Sequence, residues 1–186
     1  MSYKRRCNDR QTTRLRGYAY NSTGIYYVTI CTESKGNIFG YKSDASITLN
    51  EIGKIAQTTW LSLTEHYSNI YLDTFIIMPD HVHGIITLLY PTNSDCINLN
   101  VLIGTSDEPK HMQNSFPKPL QPGSLPVIVR AFKSSVTREV NILRGTPGAT
   151  LWQGRYYDHI IRNDTDLARI RRYIVTNPDR WKNPPS

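Results

Sequence analysis

Apolar and polar positions follow a strand-like pattern along residues 74–89, TFIIMPDHVHGIITLL. Two apolar runs in this stretch are separated by Pro79 and Asp80, which are turn-forming residues. Apolar runs of this length bounded by a turn signal are typical of buried strands. We therefore predict strands over 69–78 and 81–89, joined as a tight antiparallel pair.

The first half of the chain predicts one further strand and one helix. Residues 24–32 are rich in β-branched and aromatic side chains, which favours a strand. After a loop over 33–46, Thr48 and Glu51 have the spacing of a capping box and predict the start of a helix. Apolar residues then recur at close to the helical period, which predicts one buried face. That face consists of Ile52, Ile55, Ala56, Trp60 and Leu63.

The second half of the chain predicts a second helix, a short strand and a final helix. Residues 157–161 alternate as a strand does, and residues 163–165 offer N-caps for a helix over 166–176. Pro178 disfavours the helical conformation of Asn177, so the last helix ends there. The apolar faces consist of Ile128, Phe132, Val136, Val140 and Leu143 in the second helix, and of Leu167, Ile170 and Ile174 in the last.

The order of these elements predicts the fold class. Strand, helix, strand, strand, helix, strand, helix is the order of an α+β sandwich of the ferredoxin-like pattern, with an antiparallel sheet and the helices packed on one face. The 186 residues suit a single domain, 1–186. Two segments depart from the pattern: a basic arm over 1–16, and residues 91–123, which are rich in Asn, Ser, Pro and Gly and predict a mobile insertion.

Charge and cysteine content narrow the function classes. The net charge of +7 and the pI near 9.4 favour an acidic partner, nucleic acid before others, although a modestly basic soluble protein is the alternative. The three cysteines show no CxxC spacing, so neither a disulfide framework nor a thiolate zinc site is indicated. No apolar run approaches the roughly 20 residues needed to cross a membrane, and we expect no membrane partner and a cytoplasmic location.

Two histidines open the strand predicted at 81–89. Because side chains alternate along a strand, His81 and His83 project to one face while Val82 projects to the other. Two adjacent imidazoles form half of a metal site. The alternative is a pair of histidines that are hydrogen-bonded to backbone or water.

The end of the last helix offers the groups that would complete such a site. Tyr173 and Asn177 are four residues apart and therefore lie close to one helix face. If this end packs across the histidines, Asn177 could supply a carbonyl oxygen, and mixed imidazole and oxygen ligation suits Mg²⁺ or Mn²⁺. Tyr173 would need a nearby cation to act as a nucleophile, since the pKa of tyrosine is about 10. A packed tyrosine and a helix-ending asparagine are the alternatives.

Three blocks of sequence carry a resemblance to a known family. They are MPDHVHGII around His81 and His83, WQGRYYDHIIRN at 152–163, and YIVTNP at 173–178. In this order they resemble the single-tyrosine HUH transposases, in which HUH denotes His, a bulky apolar residue and His, and within them the REP-associated tyrosine transposases. Residues 14–32 are also similar to the family, whereas 91–123 are not.

The resemblance implies a metal-dependent endonuclease and strand transferase that cuts single-stranded DNA next to a hairpin. It implies that Tyr173 is the nucleophile and that His81 and His83 hold the divalent metal, Mg²⁺ or Mn²⁺. Asn177 matches a metal-site position that is glutamine in related members. Attack would leave a 5′-phosphotyrosine and a free 3′-hydroxyl. Related transposases include dimers that swap catalytic helices as well as monomers. A homodimer is therefore possible, and Tyr173 could serve the histidines of its own chain or those of a partner chain.

Other readings of the same residues stay open as well. A domesticated hairpin-binding protein without cleavage activity is the second hypothesis, and a zinc hydrolase, for which a third ligand is lacking, is the third. Tyr156 and Tyr157 are rival nucleophiles, with base stacking or packing as the alternative role. The predicted DNA contacts, for which ordinary surface solvation is the alternative, are Arg14, Arg16, Lys133, Arg155, Tyr157 and Arg162, together with the helix arginines Arg169, Arg171 and Arg172.

Overall fold

The computed structural model describes residues 23–34, 36–43, 46–89 and 123–181. The predicted arm over 1–16, with Arg14 and Arg16, lies outside these residues, as does nearly all of the insertion predicted over 91–123. In chain order the elements are β1 (Gly24–Cys31), β2 (Gly40–Ser43), β3 (Ser46–Leu49), α1 (Glu51–Leu61), α2 (Leu63–His66), β4 (Ile70–Ile77), β5 (His81–Leu88), α3 (Leu125–Arg144), β6 (Tyr157–Ile161), α4 (Asp164–Val175) and α5 (Asn177–Arg180).

The main sheet has four strands in the order β4-β5-β1-β6, and every neighbouring pair is antiparallel. The backbone N–H of Met78 donates to the carbonyl of His81 across Pro79 and Asp80, which closes the predicted tight turn between β4 and β5. Strands β5 and β1 are central, and β1 pairs along its whole length with β5. The predicted α+β class and antiparallel sheet are confirmed.

One face of the sheet is covered by α1 and α3. Trp60 of α1 and Phe132 of α3 meet edge to face, with ring centroids 5.2 Å apart, over the side chains of Tyr26, Val28 and Ile86. Both helices contribute the apolar faces that their 3.6-residue period predicts, and burial of these side chains supplies most of the core. Leu143 is the exception, because the last turn of α3 is exposed.

The opposite face is covered by α4. Ile170 and Ile174 pack against Tyr27, Ile85 and Ile161, which project to this side of the sheet. The helices therefore lie on both faces, and the expectation that they all pack on one face is wrong for α4. The physical reason is that β1 and β5 are apolar on both sides, so each side needs a cover.

Two local features differ from the sequence predictions. Residues predicted as loop form the β2–β3 hairpin, whose register pairs Tyr41 with Thr48. Thr48 is thus a strand residue, and α1 is capped instead by Asn50, whose side-chain oxygen accepts from the N–H of Gly53 at 2.9 Å. Helix α4 begins two residues earlier than predicted, with Asn163 as its N-cap.

The edge strand β4 contains a β-bulge. Its register against β5 shifts between Leu72 and Phe75, so that Asp73 and Thr74 together stand opposite Ile85. The Asp73 carboxylate accepts from the backbone N–H of Thr74, which stabilises the extra residue. Among the described helices, none is long and apolar enough to cross a membrane.

Candidate active site

His81 and His83 lie side by side at the start of β5, on the face covered by α4. Their Nε2 atoms are 3.0 Å apart and their rings meet edge to face, with centroids 4.4 Å apart. Val82 is fully buried on the opposite face, as the alternation predicted. The two Nε2 atoms are therefore within hydrogen-bonding distance of each other on the α4 face of the sheet.

The other nitrogen of each imidazole is held by a neighbouring side chain. Nδ1 of His81 lies 2.5 Å from the Asp80 carboxylate, to which it donates. Nδ1 of His83 lies 2.7 Å from the Tyr27 hydroxyl and 2.9 Å from the Thr29 hydroxyl. Tyr27 and Thr29 reach it because the β1–β5 register sets Thr29 directly opposite His83. These bonds fix both rings with Nε2 pointing inward, which is how outer-shell groups orient metal-binding histidines.

Tyr173 reaches the same place from α4. Its ring lies 5.4 Å from that of His83 and 6.3 Å, edge to face, from that of Tyr27. The guanidinium of Arg180 lies 5.8 Å from the centre of the Tyr173 ring. The Tyr173 ring thus packs beside His83 of its own chain.

The chain after Tyr173 stays at the site. Asn177 is buried at the junction of α4 and α5, and four residues later the Trp181 ring lies 5.7 Å from that of His81. Residues on both sides of Asn177 therefore contact the histidine pair. The indole N–H of Trp181 is buried and has no hydrogen-bond partner among the described residues.

Two side-chain contacts, an ion pair and a hydrogen bond, attach α4 to the two edge strands. The guanidinium of Arg171 binds both carboxylate oxygens of Asp73 at the β4 bulge. At the other edge, Nε2 of His159 on β6 lies 2.7 Å from the Asp166 carboxylate. The hydrogen bond from Arg171 lowers the pKa of Asp73, and the bond to His159 lowers the pKa of Asp166. These pairs fix the helix that carries Tyr173 across the sheet.

The geometry of the imidazole pair fits a divalent cation. Two ligands at right angles around an ion at about 2.1 Å are about 3.0 Å apart, and the Nε2 atoms have this separation. Within the described ranges, no three side chains of His, Cys, Asp or Glu come together as a metal site. A metal here would consequently take its other ligands from neutral oxygens, for which Asn177 is the predicted donor, together with water or substrate oxygens.

The two rival tyrosines lie on different sides of the sheet. Tyr157 shares the face of the histidines, and its ring lies 6.1 Å from that of Tyr27. Tyr156 packs against the core beneath α1 and α3, on the opposite side. The structure thus puts Tyr157 on the same face of the sheet as Tyr173 and Tyr156 on the other face.

The predicted DNA contacts within the described residues are dispersed. Arg155 and Arg162 are exposed at the two ends of β6. Lys133 is half-buried, and its ammonium donates to the carbonyl of Gln153 at 2.6 Å, so part of its role is internal. Arg169 and Arg171 are engaged by Asp166 and Asp73.

Sequence reasoning missed the groups that hold the imidazoles. Asp80 could have been identified from the sequence, because a carboxylate that directly precedes His81 is a candidate partner for its imidazole. Tyr27 and Thr29 follow from strand alternation only when β1 is paired with β5 in the correct register. Arg171 and Asp73 have no sequence signal, since the bulge that turns Asp73 toward α4 is not encoded by a recognisable pattern.

Comparison with known proteins gives the family. No protein-family model matches the chain. An uncharacterized protein of Haemophilus influenzae is 30% identical over 180 residues, which are 97% of this chain and 94% of that one. The chain belongs to the same family as that protein.

Two more distant similarities are to transposases, one in sequence and one in fold. A Haemophilus influenzae protein described as a "Putative REP-associated tyrosine transposase" is 24% identical over 86% of this chain and 72% of its own length. The solved structure of a REP-associated tyrosine transposase bound to a REP hairpin matches the fold with a TM-score of 0.56 and 15% identity, over 88% of this chain and 71% of that one. The predicted resemblance to the REP-associated tyrosine transposases is confirmed.

Proposed function

We propose that this protein is a metal-dependent endonuclease and strand transferase that recognises hairpin DNA and cuts the adjacent single strand through a 5′-phosphotyrosine. The observation that carries the proposal is the convergence of Tyr173 on the His81–His83 pair. A phenol next to two oriented imidazoles is the combination that phosphoryl transfer to tyrosine requires. Similarity to a transposase in sequence and to a hairpin-bound transposase in fold supports the DNA substrate.

In this proposal the residues have separate roles. His81 and His83 hold the divalent ion through Nε2, while Asp80, Tyr27 and Thr29 keep the two rings in place. Asn177 contributes its side-chain oxygen, and the shorter reach of asparagine compared with glutamine makes it the weakest ligand. When bound, Mg²⁺ or Mn²⁺ would neutralise charge on the scissile phosphate and favour ionisation of a nearby phenol.

The covalent step is balanced within the substrate and Tyr173. The Tyr173 oxygen forms a bond to phosphorus and loses its proton, while the bond from phosphorus to the 3′ oxygen breaks and that oxygen gains a proton. The product is a 5′-phosphotyrosine with a free 3′-hydroxyl. Because one phosphoester replaces another, attack by a 3′-hydroxyl on the phosphotyrosine reverses the step and joins strands without ATP.

The described geometry favours catalysis within one chain. Tyr173 lies beside the histidines of its own chain, and α4 is attached to β4 and β6 of that chain by the Asp73 and His159 contacts. We therefore propose that Tyr173 acts in cis. Mixing a Tyr173→Phe variant with a His81→Ala, His83→Ala variant tests this, because activity returns in the mixture only if the helices are exchanged.

The deciding experiment is a covalent-adduct assay. Labelled single strands containing the hairpins that flank the gene are incubated with protein and Mg²⁺ or Mn²⁺, and separated on a denaturing gel with and without protease. We expect a protease-sensitive adduct that is absent in Tyr173→Phe and in EDTA, while Tyr173→Phe still binds the hairpin. Binding without an adduct under all metal conditions would instead identify a domesticated DNA-binding protein, and activity with Zn²⁺ only would favour the hydrolase.

A further inference from the structure

A second concave surface lies on the other side of the sheet, between α3 and residues 150–156. It encloses about 590 Å³, which is within the range of ligand-binding cavities. One wall is a stripe of α3 side chains and the other is the segment that leads into β6. We call it the α3 groove, and the residues that matter here are Arg130, Lys133, Thr137, Arg138, Trp152 and Tyr156.

The two walls of the α3 groove are fastened to each other. The indole N–H of Trp152 donates to the carbonyl of Lys133, while the ammonium of Lys133 donates to the carbonyl of Gln153. Further along, the side-chain amide of Asn141 donates to the carbonyl of Ala149. These bonds connect the helix and the loop at both ends, so the groove is formed before any ligand arrives and binding costs little ordering.

The charge of the α3 groove suits an anion. Arg130, Lys133 and Arg138 line it, and none of the described lining residues is acidic. Both arginines are exposed. Burial lowers the pKa of Lys133, which shows that its positive charge is incompletely solvated there. An anionic ligand would restore the lost stabilisation of this ammonium.

The α3 groove and the histidine site meet at one end of the sheet. The groove segment runs antiparallel beside the end of β1: the N–H of Gln153 donates to the carbonyl of Cys31, and Cys31 is paired with His81. Consecutive residues then face opposite sides, with Tyr156 in the groove and Tyr157 beside Tyr27 on the histidine face. A DNA single strand that passes Tyr157 therefore reaches the groove by crossing only the β6 edge of the sheet.

We propose that the α3 groove is a second DNA-binding site, which holds the single-stranded continuation of the strand cut at Tyr173. Arg130 and Arg138 contact its phosphates, and Tyr156 offers an aromatic face to a base, as in proteins that bind single strands without reading sequence. A groove of this volume has room for about one or two nucleotides of a single strand. The substrate class rests on the proposed function, but binding to the groove is measurable without cleavage.

The test compares two double variants in a Tyr173→Phe background. Arg130→Ala with Arg138→Ala removes the exposed groove charges. Lys54→Ala with Arg144→Ala removes the same net charge from exposed positions outside the groove. Binding of a labelled mixed-sequence single strand is followed by fluorescence anisotropy from low to physiological salt, next to a duplex of the same sequence, with melting temperatures as the check on folding.

We expect the groove variant to bind the single strand about tenfold more weakly at low salt and to lower the salt slope by about 1.4, which corresponds to two phosphate contacts on a single strand. The control should keep most of the affinity and slope, and duplex binding should change alike in both variants. The proposal would be overturned if the groove variant and the control lost single-strand affinity equally, or if only duplex affinity fell. If the wild-type protein forms the covalent adduct but both double variants lose single-strand affinity equally, only the groove proposal is rejected. If no adduct forms but the groove variant alone loses affinity, only the cleavage proposal is rejected.

Discussion

The rings of His83 and Tyr173 lie 5.4 Å apart, although β5 and α4 are separated along the chain by α3 and β6. The contact exists because α4 crosses the face of the sheet that α1 and α3 leave open. It brings a nucleophile candidate to two imidazoles whose outer nitrogens are already occupied.

Removal of both imidazoles should abolish chemistry without unfolding the protein. We expect His81→Ala with His83→Ala to give no covalent adduct in Mg²⁺ or Mn²⁺, because the metal loses both nitrogen ligands. The core on this face is formed by Tyr27, Ile85 and the α4 side chains, which remain. Circular dichroism should show a cooperative melt close to that of the wild type, and a collapsed melt would mean that the histidines are core residues only.

Tyr27 should act through His83. Tyr27→Phe keeps the packed ring but removes the hydroxyl 2.7 Å from Nδ1 of His83. We expect metal affinity to fall about 10- to 100-fold, with activity recovered at higher Mn²⁺ concentration. Tyr71→Phe, on an exposed tyrosine of β4, is the matched control. If the Mn²⁺ concentration that gives half-maximal activity is unchanged in Tyr27→Phe, Tyr27 does not position His83.

Peptide mapping should assign the nucleophile. We expect mass spectrometry of protease-treated adducts to find the nucleotide on Tyr173, and Tyr156→Phe and Tyr157→Phe to form adducts at rates within about threefold of the wild type. Tyr156 lies on the other side of the sheet, Tyr157 packs against Tyr27, and Tyr173 packs against the metal-site histidine His83 itself. A modified peptide containing Tyr157 would contradict the assignment.

The Asp73–Arg171 pair should make stability depend on pH. Arg171 lowers the pKa of Asp73 below its ordinary value of 3.8. The pair therefore stabilises the fold above about pH 4, and this stabilisation is lost as pH falls through the lowered pKa. Asp73→Asn should be less stable than the wild type near pH 7 in urea melts, and the difference should shrink at lower pH. The double variant with Arg171→Gln should lose little more, since one contact is removed in both.

Gly84 should resist substitution for a steric reason. A methyl group at this position would lie 2.2 Å from the Trp60 ring, which fills the core beneath α1. We expect Gly84→Ala to lower the free energy of unfolding by about 1–3 kcal/mol, and Trp60→Phe to recover part of the loss in the double variant. Gly154→Ala is the control, because no described atom lies within 4 Å of its added carbon.

Local patterns predicted the elements of the main sheet well. The strand over 157–161 has the predicted bounds, and the bounds of β4 and β5 differ from the prediction by one residue at most. Alternation and helical periodicity are properties of neighbouring residues, so they can be read without knowing the fold. The β2–β3 hairpin was missed because its four-residue strands are too short for alternation to stand out. The cap at Asn50 was missed because Thr48 and Glu51 match the spacing of a capping box, although Thr48 lies in β3.

Local sequence patterns are sufficient to put His81 and His83 on one face of a strand and to set Tyr173 and Asn177 one helical turn apart. Long-range packing brings the Tyr173 ring against His83, lets Tyr27 and Thr29 orient His83, and turns Tyr156 to the α3 groove. The reason is that an amphipathic helix can cover either apolar face of a sheet. Which face it covers depends on contacts between residues far apart in the chain, and no local pattern encodes them.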